Sequence, residues 1–271
     1  MLKTASLLLD NEYQKCLSVV KENAYYTSYA EEKRHHSLQV LGAGKYIIRH
    51  EGYFQQHGSL FSETAKVAVL LHDIGRFDEI TARFLYGKKI DHGIAGYTKL
   101  SRIPEYSHNL IALPIKHHGH LKEDFYNDEA YKSIADKVVA DECDAIFRLI
   151  RDADKIANFN IVCSETEKYL PLFIPSPDDV SSREESLSSQ VVEDFLRLKT
   201  VDYSLRKTCA DHCLTFISWF FDINYHTSVV FCRKLGLLHK MFVLLGRYHH
   251  NQELNRQLEY TVEKFLFEKF G

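Results

Sequence analysis

Apolar residues recur along this chain at three- and four-residue intervals, and strictly alternating runs are scarce. That periodicity predicts helices nearly throughout. Only five prolines and twelve glycines interrupt it. Residues 31–50 read as a helix with Leu38, Leu41 and Ile47 on its apolar side. A second helix spans 62–74, with Ser62 placed as an N-cap and Gly75 as a C-terminal glycine. Its "AKVAVLL" is apolar all round, so this helix belongs at the centre of a core. Asp91 is placed to cap a helix from His92 to Leu100. Ser107 is placed to cap another reaching His118, with a kink at Pro114. A long helix follows over about 131–158. The stretch 170–189, "LPLFIPSPDDVSSREESLSS", is rich in Pro, Ser and Asp and reads as a boundary. Helical spacing then resumes to the C-terminus. The expected fold is all-α: a helical core over 1–169, a loop over 170–189, and a C-terminal helical region over 190–271 packed on the core.

Charge and cysteine content narrow the class. The formal net charge is −3, which gives no global field for nucleic acid. Six scattered cysteines, with no C-x-x-C pair, fit a reduced compartment. The longest apolar run, "CLTFISWFF" at 213–221, is too short to span a membrane. A cytoplasmic protein is the expectation. Fifteen histidines is a high count, and they cluster at 35/36, 72, 92, 117/118/120 and 249/250.

The segment "LLHDIGRF" (70–77) ends an apolar run on adjacent ionisable residues, His72 and Asp73. Such groups are kept dry only when paired or bound to a metal. His36, His72, Asp73, His92, His117, His118 and Asp154 all fall on or at the ends of expected helices. Imidazoles and carboxylates suit divalent metals. Seven candidates fit two ions sharing a carboxylate better than one.

The fragments "HSLQV" (36–40), "LLHDIGRF" (70–77), "DHGIAG" (91–96), "IKHHGH" (115–120) and "RDADKIAN" (151–158) stand in the order H, HD, H, HH, D. This order resembles the HD superfamily of metal-dependent phosphohydrolases, over about residues 30–160. The resemblance implies a helical HD-domain bundle in which His36, His72, Asp73 and Asp154 form the core metal site. His92, His117 and His118 match the further ligands of binuclear members, where the aspartate of the HD pair bridges both ions. Asp152 is the alternative to Asp154. No Gly-Tyr-Pro signature follows the paired histidines, which sets the chain apart from cyclic di-GMP phosphodiesterases of that branch.

The implied chemistry is hydrolysis of a small phosphorylated substrate, a nucleotide foremost, by a metal-activated water. Two divalent transition ions per chain are expected, Fe or Mn ahead of Ni, Zn or Mg. Asp73 and Arg76 are the candidate catalytic residues, and Arg76, Lys155 and His120 the candidate substrate contacts. Rival readings are a mononuclear nucleotidase and a silent nucleotide sensor. An ion pair with Asp78 or Glu79 is the structural reading of Arg76. His249 and His250 look solvent-exposed, and Asp211–His212 lacks companions and reads as helix core. The aromatic run around Trp219 reads as core, or as a homodimer surface if exposed.

Overall fold

The computed structural model describes residues 1–164 and 186–271. Among these residues the fold is all-α, with no strand. Most of the boundary stretch 170–189 lies outside the described residues. They form two compact units, Met1–Asp154 and Lys155–Gly271.

The first unit is built around one helix. The elements are α1 (Leu2–Val20), α2 (Ala24–His50), α3 (Gly52–Gln56), α4 (Gly58–Leu71), α5 (Arg76–Tyr86), α6 (His92–Leu100), α7 (Ala112–His117), α8 (Lys122–Asn127), α9 (Glu129–Lys132) and α10 (Lys137–Ser164), the last crossing the unit boundary. As its all-round apolar sequence requires, α4 is central, packing on α1, α2 and α7. Val67 to Leu71 are fully buried. Each valine and leucine among them contributes roughly 1.5–3 kcal/mol of transfer free energy. A satellite core joins Leu113, Phe125, Cys143 and Phe147, with the two phenylalanine rings stacked at 4.0 Å.

Several local expectations change. Ser107 does not cap α7, and its hydroxyl donates to the Pro104 carbonyl. Leu38 of α2 is exposed. Ser62 lies inside α4, which already begins at Gly58, and its hydroxyl donates to the Phe54 carbonyl. Pro114 causes no kink, because α7 starts only at Ala112. The proline therefore occupies the first turn, where a missing N–H costs no helical hydrogen bond. Gly75 is no left-handed cap, since its φ is −73°. Its role is close approach: a Cβ there would lie 2.1 Å from the His92 carbonyl oxygen and 2.4 Å from the Gly96 nitrogen. Gly75 thus lets the turn after α4 touch the start of α6. Asp91 caps α6 as expected, accepting from the Ile94 N–H at 2.8 Å.

In the second unit, helices Ser189–Leu196, Cys209–Ser218, His226–Leu235, Leu237–Tyr248 and Gln252–Phe270 enclose a core of their own. Phe159, from the end of α10, stacks on Phe220 at 4.4 Å. Thr208 and Asp211 form a capping box. Asp211 is fully buried and also holds Ser188, so this residue pair with buried His212 is structural, as the sequence suggests. His249 departs from expectation: it is buried and hydrogen-bonded to Asn255 at 2.7 Å. No helix among the described residues is long and apolar enough to cross a membrane.

Candidate metal centre

Five helices of the first unit converge on one point. The end of α4 delivers His72 and Asp73, α2 delivers His36, and α10 delivers Asp154. His92 is the first residue of α6, and His118 follows the last residue of α7. Two ligand clusters result, one of His36, His72 and Asp73 and one of Asp73, His92 and His118.

Asp73 is common to both, and its two oxygens are divided between them. Oδ2 lies 4.0 Å from His72 Nε2. Oδ1 lies 3.3 Å from His92 Nε2 and 3.5 Å from His118 Nε2. His92 and His118 Nε2 are 3.2 Å apart. Asp154 joins the first cluster, with Oδ1 at 2.8 Å from His36 Nε2 and 3.7 Å from His72 Nε2. Ligands at about 2.0–2.2 Å from a common ion stand roughly 3.0–3.5 Å from one another. The second cluster matches that spacing, and the first brackets it.

Protonation also fits a metal. His72 Nδ1 donates to the Val69 carbonyl at 3.0 Å and His118 Nδ1 to the Ile115 carbonyl at 2.7 Å. Each bond fixes the tautomer that turns an Nε2 lone pair into the site. Burial pushes the His36 pKa down, and burial together with Arg76 pushes that of His92 down to about 2, so both rings are neutral. Burial opposes ionisation of Asp73, yet Arg76 and Lys33 hold its pKa well below the usual carboxylate range. His36 and His72 do the same for Asp154. Burial opposes charging of His72 as well, but the two carboxylates raise its pKa. They favour a positive charge at that spot. His72 Nε2 and Asp73 Oδ1 are buried with no hydrogen-bond partner, an expensive arrangement unless a cation is held there. The residues fit a divalent ion.

The HD domain family matches residues 34–158. Residues 34–158 are an HD domain. No curated protein and no solved structure matches the chain. The matched stretch takes in every residue of both clusters, and the HD superfamily is one of metal-dependent hydrolases in general.

Not every expected site residue of the HD domain joins the clusters. His117 points away, donating from Nε2 to Asp128 at 2.7 Å. Adjacent helical residues point about 100° apart, and only His118 faces Asp73. His120 donates to Asp91 at 2.7 Å. Lys155 pairs with Asp222 at 2.7 Å. Asp152 is fully buried, and Asp154 is the one beside His36. Arg76 makes the expected ion pair with Glu79 and also faces the clusters. Nη1 donates to Glu79 at 2.5 Å, while Nη2 reaches His92 Nε2 at 2.9 Å and Asp73 Oδ1 at 3.5 Å. Sequence reasoning missed Lys33, whose Nζ is 3.6 Å from Asp73 Oδ2. Its spacing three residues before His36, on the same helical face, was the available signal.

Proposed function

We propose that this chain is a phosphohydrolase that cleaves a small phosphate ester, a nucleotide foremost, with two divalent ions held across Asp73. The observation that carries this reading is the division of Asp73, with Oδ2 toward His72 and Oδ1 toward His92 and His118. His36, His72, Asp73 and Asp154 would hold one ion, and Asp73, His92 and His118 the other. Bound divalent ions supply Lewis acidity toward phosphoryl oxygens and make water a nucleophile near neutral pH. The mixed histidine and carboxylate donors suit Fe or Mn.

The chain's own residues do the rest. Arg76 is anchored by Glu79 through Nη1, which aims the rest of the guanidinium at the site. A fixed guanidinium suits the oxygens of a phosphoryl group better than a mobile ammonium. Glu79 is fully buried and also pairs with Arg83, so the anchor is rigid. Lys33, Arg76, His92 and Asp154 have side chains 17–26% exposed, against 6% or less for the other ligands, so they form the open side of the site.

One observation favours a mononuclear variant of this reading. Arg76 Nη2 donates to the His92 lone pair that a second ion would need. Elemental analysis of untagged protein, with release of inorganic phosphate from a nucleotide and sugar-phosphate panel in Mn or Fe, tests both. About two ions per chain with turnover lost in Asp73→Asn supports the binuclear reading. One ion with turnover supports the mononuclear one. No turnover of any phosphate ester at full metal loading refutes both.

A further inference from the structure

Which phosphate ester this site is built for can be read from its second cation, an inference that rests on the phosphohydrolase reading above. Lys33 stands on α2 one turn before His36. Its Nζ approaches Asp73 from the Oδ2 side, at 3.6 Å, while Arg76 approaches Oδ1 at 3.5 Å. The two cations straddle the carboxylate. The ammonium also lies 6.0 Å from the ring centroid of Tyr29, one turn earlier, which limits its sweep.

Four cations within residues 34–158 have close acceptors. Arg83 pairs with Glu79 at 2.6 Å, Lys116 with Asp128 at 2.5 Å and Lys155 with Asp222 at 2.7 Å. Arg151 donates to the carbonyls of His118 and His120. Lys33 is different. Among the described residues its ammonium makes no hydrogen bond, only the longer ion pair with Asp73 and the ring contact. Three N–H donors are therefore available on the open side of the site.

Charge then selects the ligand. Around the clusters, Asp73, Asp154 and Glu79 are balanced by Lys33, Arg76 and Arg83. A divalent ion added to these paired groups would leave positive charge for an anionic ligand to meet. A phosphate monoester is largely dianionic above its second pKa of about 6 and offers three terminal oxygens. A diester carries a single charge and two terminal oxygens. With one oxygen facing the ions and one facing Arg76, only the monoester has a third for Lys33. We infer that Lys33 is a substrate-binding residue that, with Arg76, grips the terminal phosphate and makes the site selective for phosphate monoesters over diesters.

The test uses the full, metal-loaded chain and its Lys33→Met and Lys33→Arg variants. Measured are kcat and KM for p-nitrophenyl phosphate and bis(p-nitrophenyl) phosphate, binding of inorganic phosphate by calorimetry, and metal content. Lys33→Met is expected to weaken phosphate binding and raise the monoester KM by about tenfold or more, the scale of one charge-assisted hydrogen bond. Diester kinetics should stay within about twofold, metal content should be unchanged, and Lys33→Arg should recover most of the loss. Equal losses for both esters, or loss of metal in Lys33→Met, would make Lys33 a structural partner of Asp73 and overturn the inference. If the parent hydrolyses neither ester and no member of the nucleotide and sugar-phosphate panel, the phosphohydrolase reading fails. Phosphate affinity then decides on Lys33: a drop in Lys33→Met retains it as an anion-binding residue, and no change removes it.

Discussion

Replacing Asp128 by asparagine separates a structural histidine from a metal-binding one. Asp128 Oδ2 accepts from Lys116 Nζ at 2.5 Å and from His117 Nε2 at 2.7 Å, and Oδ1 caps α9 through the Ala130 N–H at 2.8 Å. The side chain is 9% exposed. Burial alone would raise its pKa, but the bonds to Lys116 and His117 bring it down from 3.8 to about 2. A shift of almost two units corresponds to roughly 2 kcal/mol of stability. Because the folded pKa is the lower one, that stability is fully present above the unfolded value near 3.8. It is lost as pH falls toward 2. Asparagine keeps the size and the Oδ1 cap but removes the charge. Urea unfolding of both proteins, in chelator so that metal linkage does not enter, should give a difference of about 2 kcal/mol at pH 7 that shrinks steadily between pH 4 and pH 2. Metal content at neutral pH should be the same in both. A difference below about 0.5 kcal/mol at pH 7 would refute the electrostatic argument. A lost ion would show that Asp128 orients a histidine ligand, and that His117 belongs to the metal site after all.

Other outcomes follow from the same geometry. His118→Ala should lower metal content by one ion per chain and spare the cluster of His36 and His72, whereas Asp73→Asn should empty both clusters, each read by elemental analysis. Arg76→Met should reduce kcat/KM for a phosphate ester by about 10²–10³, the scale of one transition-state donor, measured at saturating metal. Gly75→Ala puts a methyl group into the His92 carbonyl and should destabilise the fold by about 3 kcal/mol, with loss of the ion nearest His92. Thr208→Ala breaks the capping box of helix Cys209–Ser218 and should cost about 1 kcal/mol in thermal or urea unfolding without changing metal content.

Much of this was legible in the sequence because helical periodicity and ligand order are both local signals. The apolar "AKVAVLL" placed α4 at the centre, and the fragment order pointed to His36, His72, Asp73, His92, His118 and Asp154. What failed was the resolution of neighbours. His117 and His118 are chemically identical, and which one turns inward depends on where α7 begins and on Asp128 from the next segment. No sequence pattern ties position 117 to position 128. The pairings of Lys155 and His120 were illegible for the same reason, since their carboxylate partners, Asp222 and Asp91, are far along the chain. Gly75 carried a real signal with the wrong cause: a glycine after a helix suggests a left-handed cap, but here it marks backbone contact with α6.

The pairing of His36 with Asp154 joins residues 118 positions apart. An ion held there acts on the polymer as a cross-link does, closing a loop of that length in one step. Closing loops of about 100 residues with a covalent bridge removes chain entropy worth roughly 4–5 kcal/mol in the simplest treatment. The second cluster adds a smaller loop through Asp73. Loading the centre would therefore draw α2, α4, α6, α7 and α10 together, in a chain whose six cysteines form no disulfide. On the proposed reading, metal supply would set more than turnover. It would also set how often this unit opens, and so how fast a protease clears chains without metal.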